Sequence, residues 1–400
     1  MNVKNITDRV TYCGVNDRTT AKFENLWSLP YGVTYNSYIV RGSEGAAIIE
    51  GCEAGHASRF IGNVIEALNG GKPDYLVVNH VEPDHSGAIP MIKTMWPDIK
   101  IVGNVKTIEM IKGFYGVKTG TIEVREGDTI GLGDRTLRFF LTPMTHWPET
   151  MVTYLEEEGV AFTGDIFGCF GALDGAVSDD EMADARRYFD EMRRYYACIV
   201  AKYGVFAQKT LAKLAPLNIT RLCSTHGPVW HSLREEVIGL WSRWAAFEAD
   251  PGVVVAYGSM YGSTAEMAEE LAMRLAAKGI REIRVHDLSH APLSRVLADV
   301  MRFNGLVLAS PTYNTEIYPP VAALVEAIIS RGIKNRHVAI TGSYTWGGQA
   351  VRKLGTRLAE TGLNILSPTA EMKQSLIGAV KPQLDEIAAA MAQNCLQPAR

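Results

Sequence analysis

The sequence predicts an α/β protein of two domains, a mixed αβ sandwich followed by a doubly wound parallel sheet. Three observations carry this. The chain has 400 residues, more than one ordinary hydrophobic core accommodates. Its first part alternates short apolar runs with turns and helical stretches, whereas its last part repeats a buried strand and a helix in regular succession. The change falls at Ala249-Asp250-Pro251-Gly252, where Pro-Gly punctuates secondary structure. The domains are therefore expected at residues 1–250 and 251–400.

In the first part, strand-like runs occur at Tyr38–Val40, Ala46–Ile49, Tyr75–Val78, Ile101–Val102, Leu137–Leu141 and Val160–Phe162, each rich in β-branched or aromatic residues. Helical periodicity appears from Ala57 to Leu68, from Gly87 to Met95 and, as a long amphipathic stretch, from about Asp180 to Lys202. Such mixing suits layered sheets and helices. After Pro251, strands are expected at Val253–Tyr257, Glu282–His286, Gly305–Ala309, His337–Thr341 and, more weakly, Leu363–Leu366. Helices are expected around Ala265–Ala277, Leu293–Val300, Val321–Ile329, Gln349–Leu358 and Leu384–Met391. Short apolar strands joined by crossover helices make a doubly wound sheet.

Composition narrows the function. Hydrophobic residues are 47% and charged residues 21% of the chain, an ordinary globular balance. A formal net charge of -4 offers no basic field for nucleic acid. No apolar run is long enough to cross a bilayer, and Met1-Asn2-Val3-Lys4-Asn5 leads into polar sequence without a signal-peptide core. A soluble, cytoplasmic protein is expected. The 6 cysteines are scattered with no Cys-x-x-Cys pair, which speaks against a disulfide framework, a zinc ribbon, or an attached iron–sulfur or rubredoxin module. Electron transfer would need another cofactor.

Candidate metal ligands cluster after the strand at Tyr75. His80-Val81-Glu82-Pro83-Asp84-His85 places two histidines and two acids on one tight loop. His146, Asp165 and His226 follow other strand ends, where a scaffold gathers catalytic groups. A lone His or Asp at such a place is usually a hydrogen-bonded or turn residue, and His56, His231, His286, His290 and His337 are read that way. The cluster is different, because so much charge on one loop is costly without a cation.

The spacing resembles the metallo-β-lactamase fold, an αβ/βα sandwich whose motif is His-x-His-x-Asp-His with later His, Asp and His. Here Glu82 stands in place of the second histidine. Mixed His/carboxylate ligation gives a harder, anionic site that favours iron and redox chemistry over zinc hydrolysis. With that change the set is similar to the flavodiiron proteins, also called A-type flavoproteins, and the resemblance covers essentially the whole chain. It implies two iron ions, with His80, Glu82 and His146 on one, Asp84 and His226 on the other, and Asp165 bridging. The position of His85 is a ligand in some members and displaced in others.

Three loops are expected at C-terminal strand ends of the second domain, where a doubly wound sheet binds its ligand. Ser259-Met260-Tyr261-Gly262-Ser263-Thr264 offers hydroxyls and amides at a helix start, an anion cradle. It has no Walker A lysine and no Gly-x-Gly-x-x-Gly, so a single terminal phosphate, as in FMN, fits better than a pyrophosphate. Pro311-Thr312-Tyr313-Asn314 follows the third strand, and Ser343-Tyr344-Thr345-Trp346-Gly347-Gly348 follows the fourth. Aromatics beside small and amide-bearing residues suit an isoalloxazine. Taken singly, the first loop is also a plain helix cap and Trp346 a plain packing residue. Together the loops resemble the FMN sites of flavodoxin-like domains.

The resemblance implies an oxidoreductase that relays electrons through FMN to the diiron site, reducing O2 to water or NO to N2O. It also implies a head-to-tail homodimer, or a dimer of such dimers, and an external donor. With no rubredoxin-like pair in the sequence, a separate rubredoxin or the deazaflavin F420 is expected in that role. Trp147, and the pair Tyr195-Tyr196 on the stretch from Asp180 to Lys202, are read as lining the pocket for the diatomic, with core packing as the plainer reading. The rivals are a zinc hydrolase with an appended flavodoxin-like domain and a pure electron carrier whose metal domain is vestigial.

Overall fold

The computed structural model describes residues 3–375 and 377–396, so the outermost ends of both expected domains lie outside the described residues. The described chain forms two compact units, one comprising Met1–Tyr195 and Val205–Ser242, the other Tyr196–Gly204 and Arg243–Arg400.

Two sheets organise the first unit. The larger orders its strands Lys4–Asn5, Val10–Tyr12, Tyr38–Arg41, Ala46–Ile49, Tyr75–Val77, Lys100–Gly103, Thr121–Glu123. The other runs Thr129–Gly131, Thr136–Leu141, Met151–Leu155, Val160–Gly164, Arg221–Ser224. Ala46–Ile49, Met151–Leu155 and Val160–Gly164 are buried at every position, which is why they are continuous apolar or neutral runs without alternation. Tyr38 and Phe162 bring rings from the two sheets to 5.3 Å. This is the metallo-β-lactamase-like sandwich expected above. Its ligand-bearing loops all leave the C-terminal ends of strands: Tyr75–Val77, Thr136–Leu141, Val160–Gly164 and Arg221–Ser224.

One expected element is corrected. The stretch from Asp180 to Lys202 is not a continuous amphipathic helix. It breaks into the 3-10 turns Asp179–Glu181 and Ala185–Tyr188, the α-helix Phe189–Tyr195, a π-helical turn Tyr196–Val200 and the 3-10 turn Ala201–Tyr203. Every residue from 194 to 201 is buried, so no polar face remains to make the segment amphipathic. A π turn adds a residue to the helical register, and the division between the units falls at its start, between Tyr195 and Tyr196.

The second unit is a parallel sheet in the order Ile283–Asp287, Asp250–Tyr257, Phe303–Tyr313, His337–Tyr344, Asn364–Lys373. The first strand in sequence thus lies inside the sheet. Strand order reverses between Asp250–Tyr257 and Phe303–Tyr313, which is the switch point where such sheets bind ligands. Helices Ser263–Ala277 and Ile377–Cys395 cover one core through Met267, Leu271, Leu384 and Met391. The edge strand is longer than the expected Leu363–Leu366 because its alternation of half-exposed and buried positions hides the apolar signal. The doubly wound architecture stands as read from the sequence.

Candidate metal centre and flavin site

All seven predicted metal donors converge in the first unit. His80, Glu82, His146 and Asp165 form one group and Asp84, His85 and His226 a second, with the donor atoms of each within 4.8 Å of one another. Glu82 Oε2 lies 3.2 Å from the Nε2 atoms of both His80 and His146. Asp165 turns Oδ2 to the first group, 3.1 Å from His146 Nε2, and Oδ1 to the second, 2.9 Å from His85 Nε2. His226 Nε2 stands 3.3 Å from Asp84 Oδ2. One carboxylate therefore faces both groups.

The far sides of the rings are held by the fold. His80 Nδ1 meets Glu149 Oε1 at 2.8 Å, and the same oxygen accepts from the Val81 amide at 2.9 Å. His226 Nδ1 meets the Thr34 carbonyl at 2.5 Å. Thr225 Oγ1 donates to Asp165 Oδ1 at 2.6 Å. Such outer contacts fix ring orientation and leave Nε2 for the cation. Gly227 (φ +81) permits the return turn after His226; a Cβ there would meet Cys169 Cβ at 2.6 Å.

Charge points to a cation at these donors. Burial alone would push the imidazoles toward neutrality, yet the carboxylates outweigh it. Glu149, Glu82 and Asp165 hold His80 well above its usual value. Asp84 and Asp165 hold His85 at about 9, and Asp165 and Glu82 hold His146 at about 9. Burial would likewise raise Asp165 and Glu82, but the histidines keep both well below the usual carboxylate range. Even so, both Asp84 oxygens, both His85 nitrogens and His226 Nε2 are buried with no aligned hydrogen-bond partner among the described residues. Buried polar atoms are rarely left so. Two hard cations on N/O donors satisfy them, and the set fits a diiron pair. A cavity of about 480 Å³ opens over Glu82 and Asp84, walled by Phe23, Glu24, Tyr35 and Glu53 among others.

The predicted flavin loops line up at the C-terminal ends of three adjacent strands in the second unit. Ser259–Gly262 precedes helix Ser263–Ala277, whose N-cap Gly262 (φ 94) supplies no side-chain cap. The first amides of that helix therefore remain for a phosphate. Ser259 Oγ accepts from the Gly262 amide at 3.1 Å, and Thr264 Oγ1 and Ser343 Oγ are 2.8 Å apart, linking the first and third loops. Thr312 also has a structural role. Its hydroxyl accepts from the Gln349 and Ala350 amides at 3.0 and 3.1 Å, capping the next helix. Pro311 is buried, whereas Tyr313 and Asn314 are exposed. Tyr344 and Gly348 are half-buried and Gly347 is exposed. Tyr261 and Trp346 stand 94% and 91% exposed, with Met260 at 39%. Bare aromatic rings beside an uncapped helix start fit a planar ligand with one phosphate, as FMN is.

Comparison with known proteins agrees with this geometry. A family model described as ODP family beta lactamase matches residues 33–227, and one described as Flavodoxin matches residues 255–387. A nitric oxide reductase of Moorella thermoacetica is 30% identical over 366 residues, 90% of this chain and 91% of that protein. A rubredoxin oxygen:oxidoreductase from Desulfovibrio gigas has a TM-score of 0.91 at 26% identity, covering 99% of this chain and 98% of that one. A mutant of the flavo di-iron protein of Thermotoga maritima has a TM-score of 0.91 at 27% identity, over 99% and 98%. The chain belongs to the flavodiiron proteins.

In this flavodiiron protein two of the three predicted pocket residues, Trp147 and Tyr195, border the donors. The Trp147 ring lies edge-on to His80 at 5.3 Å, and Tyr195 lies 5.5 Å from His226. The Tyr195 hydroxyl is buried without an aligned partner, and burial, then Asp165, push its pKa well above the usual value. Tyr196 instead packs on Trp244 at 5.6 Å in the second unit. The five histidines set aside above have ordinary partners: Asp17 for His56, Asp180 for His231, Asp299 for His286, Asp287 for His290 and Asn364 for His337. Sequence reasoning missed Glu149 and Glu50. Glu50 accepts from the Asn79 amide at 3.0 Å, and burial raises its carboxyl to about 7, moderated by His85 and His80. A lone acid in a loop or after a strand carries no sequence signal for such a place.

Proposed function

We propose that this protein is an oxidoreductase reducing O2 to water, NO to N2O, or both, at a non-haem diiron site, with electrons relayed through FMN from an external donor. Its cofactors are FMN and a diiron pair. The observation that carries the reading is Asp165, whose two oxygens face two separate donor groups at 3.1 and 2.9 Å. That is a two-metal arrangement, and its mixed His/carboxylate donors suit iron. In this assignment His80, Glu82 and His146 hold one iron, Asp84, His85 and His226 the other, and Asp165 both. When bound, the irons would supply one-electron redox chemistry to a diatomic, and FMN would supply the electrons singly.

The chain's own residues do the rest. Glu149 and the Thr34 carbonyl orient His80 and His226, and Trp147 and Tyr195 wall the donors with rings that keep bulk water out. The loops 259–264, 311–314 and 343–348 hold the flavin, the first taking its phosphate and Tyr261 and Trp346 flanking its ring. We assign rubredoxin as the donor, supported by the name of the Desulfovibrio gigas relative, a rubredoxin oxygen:oxidoreductase, with F420 as the other candidate, and a head-to-tail homodimer as the working assembly. A domain division near 250/251 is proposed; it keeps the first compact unit whole but parts residues 196–204 and 243–250 from the rest of the second. No helix among the described residues is long and apolar enough to cross a membrane, and a cytoplasmic location is proposed.

Metal analysis, a visible spectrum and gas consumption with reduced rubredoxin test this together. Two irons and one FMN per chain with O2 or NO uptake are expected. Zinc without flavin colour would favour the hydrolase, against which Glu82 and the flavin loops argue. Bound FMN without iron would favour the pure electron carrier.

A further inference from the structure

Both proposed reactions consume protons as well as electrons. O2 takes four of each to give two waters, and two NO take two of each to give N2O and one water. The cavity of about 480 Å³ that opens over Glu82 and Asp84 offers those protons a route to the donors. Apart from those two, its ionisable lining is Lys22, Glu24, Tyr35 and Glu53.

Glu24 is placed there by an unusual piece of backbone. It is the tip of a hairpin in which Lys22–Phe23 pairs with Trp27–Ser28. Glu24 and Asn25 have φ of 50° and 53°, successive left-handed residues closed by a bond from the Leu26 amide to the Phe23 carbonyl at 2.9 Å. Turns of that hand are filled by Gly, Asn and Asp, and a glutamate there crowds its own Cβ. Strain kept against local preference points to use of the side chain. The hairpin is also anchored to the site. The Phe23 ring meets His226 edge-on at 5.3 Å, and the buried Trp27 donates its Nε1–H to Glu24 Oε2 at 3.0 Å. Glu24 itself remains exposed. Its carboxyl is thus held on one side by a buried indole while open to both solvent and cavity.

We propose that Glu24 delivers solvent protons into this cavity for the reduction, and that the hairpin from Lys22 to Ser28 serves to hold it there. The inference rests on the diiron function proposed above. In each cycle the carboxyl gives its proton to an oxygen of the diatomic undergoing reduction and regains one from water, while the electrons come from the external donor. The charges that face Glu24 are Glu82, His146 and Asp84. Tyr35 lines the same wall, but burial, then Glu53, hold its hydroxyl far above neutrality, so it passes protons on without becoming their source.

The test is Glu24→Gln, which keeps an oxygen for Trp27 and removes the exchangeable proton. Iron and FMN content are expected to be unchanged and turnover to fall about 100-fold, the low end for a positioned acid. The decline of wild-type turnover as pH rises through the pKa of Glu24 should vanish in the variant, and Glu24→Asp should restore part of the rate. A second readout needs no turnover. In protein carrying 13C-labelled glutamate, the Glu24 carboxyl signal, assigned by its absence in Glu24→Gln, should titrate at lower pH once zinc is loaded, because zinc offsets the charges of Glu82 and Asp84. An unchanged rate and pH profile in Glu24→Gln, or a midpoint indifferent to zinc, overturns the proposal. A wild-type protein that carries iron and FMN yet consumes neither gas overturns the function itself, and this inference with it.

Discussion

At the metal centre His80, Glu82, His85, His146, Asp165 and His226 are all buried, whereas at the flavin loops Tyr261 and Trp346 are 94% and 91% exposed. The first site is finished by the fold: rings are oriented from behind by Glu149 and Thr34, and only the cations are required to balance the charge. The second is finished by its ligand, whose faces would cover the rings that the chain leaves bare. The difference follows from what each side chain loses on burial. A buried carboxylate or imidazole must be positioned and compensated from the start, whereas an exposed indole gains by waiting for a flat partner. One site should therefore fail electrostatically and the other through lost contact.

Asp165→Ala is the most severe way to break the metal side. Without the carboxylate that faces both groups, both irons should be lost and the flavin retained. One iron per chain in that variant would show that the two groups stand alone. The next test is pH. His85 and His146 hold protons up to about 9 in the metal-free protein, and a cation must displace them. Affinity should therefore rise with pH, steeply up to about 9. For zinc, a redox-inert probe, the protons of His85 and His146 alone correspond to about 100-fold per pH unit between roughly 7 and 9, and the proton that His80 also holds steepens this further, while FMN affinity stays nearly flat. Calorimetry in buffers of different ionisation enthalpy reads the protons directly, and no release would refute the charge balance described for the donors.

Glu149→Gln should be milder. It keeps the shape but removes the carboxylate behind His80, and loss of such a partner costs about 10–100-fold in metal affinity. Iron affinity equal to wild type would reduce Glu149 to a packing residue. The smallest effect is expected from Trp346→Ala. One stacking partner is worth about 1 kcal/mol, or roughly fivefold in FMN dissociation constant, with iron content untouched. An unchanged constant would place the flavin ring elsewhere.

What could be read from the sequence divides along the same line. Seven donors were legible because each follows a strand end and four share the run from His80 to His85. The proposed flavin loops 259–264 and 343–348 stand out in the sequence because hydroxyl, glycine and aromatic residues recur there in order. Glu149 was not, since it lies 69 positions from His80 and meets it only after the sandwich folds. The capping role of Thr312 was hidden for a related reason: its hydroxyl accepts from the helix that starts 38 residues later. The segment 194–201 misled because apolar side chains on all faces can mimic an amphipathic period. Glu24 was invisible, because nothing in Phe23-Glu24-Asn25 announces a left-handed turn.

Trp346 has an optical consequence. Of the 7 tryptophans it alone is exposed, so the metal-free, flavin-free protein carries one water-bathed indole emitting at the red edge beside four buried and two half-buried ones emitting further toward the blue. A flavin stacked on that ring would quench the red component selectively. Difference emission would then count occupied flavin sites in a mixture without separating apo from holo molecules, and without any label.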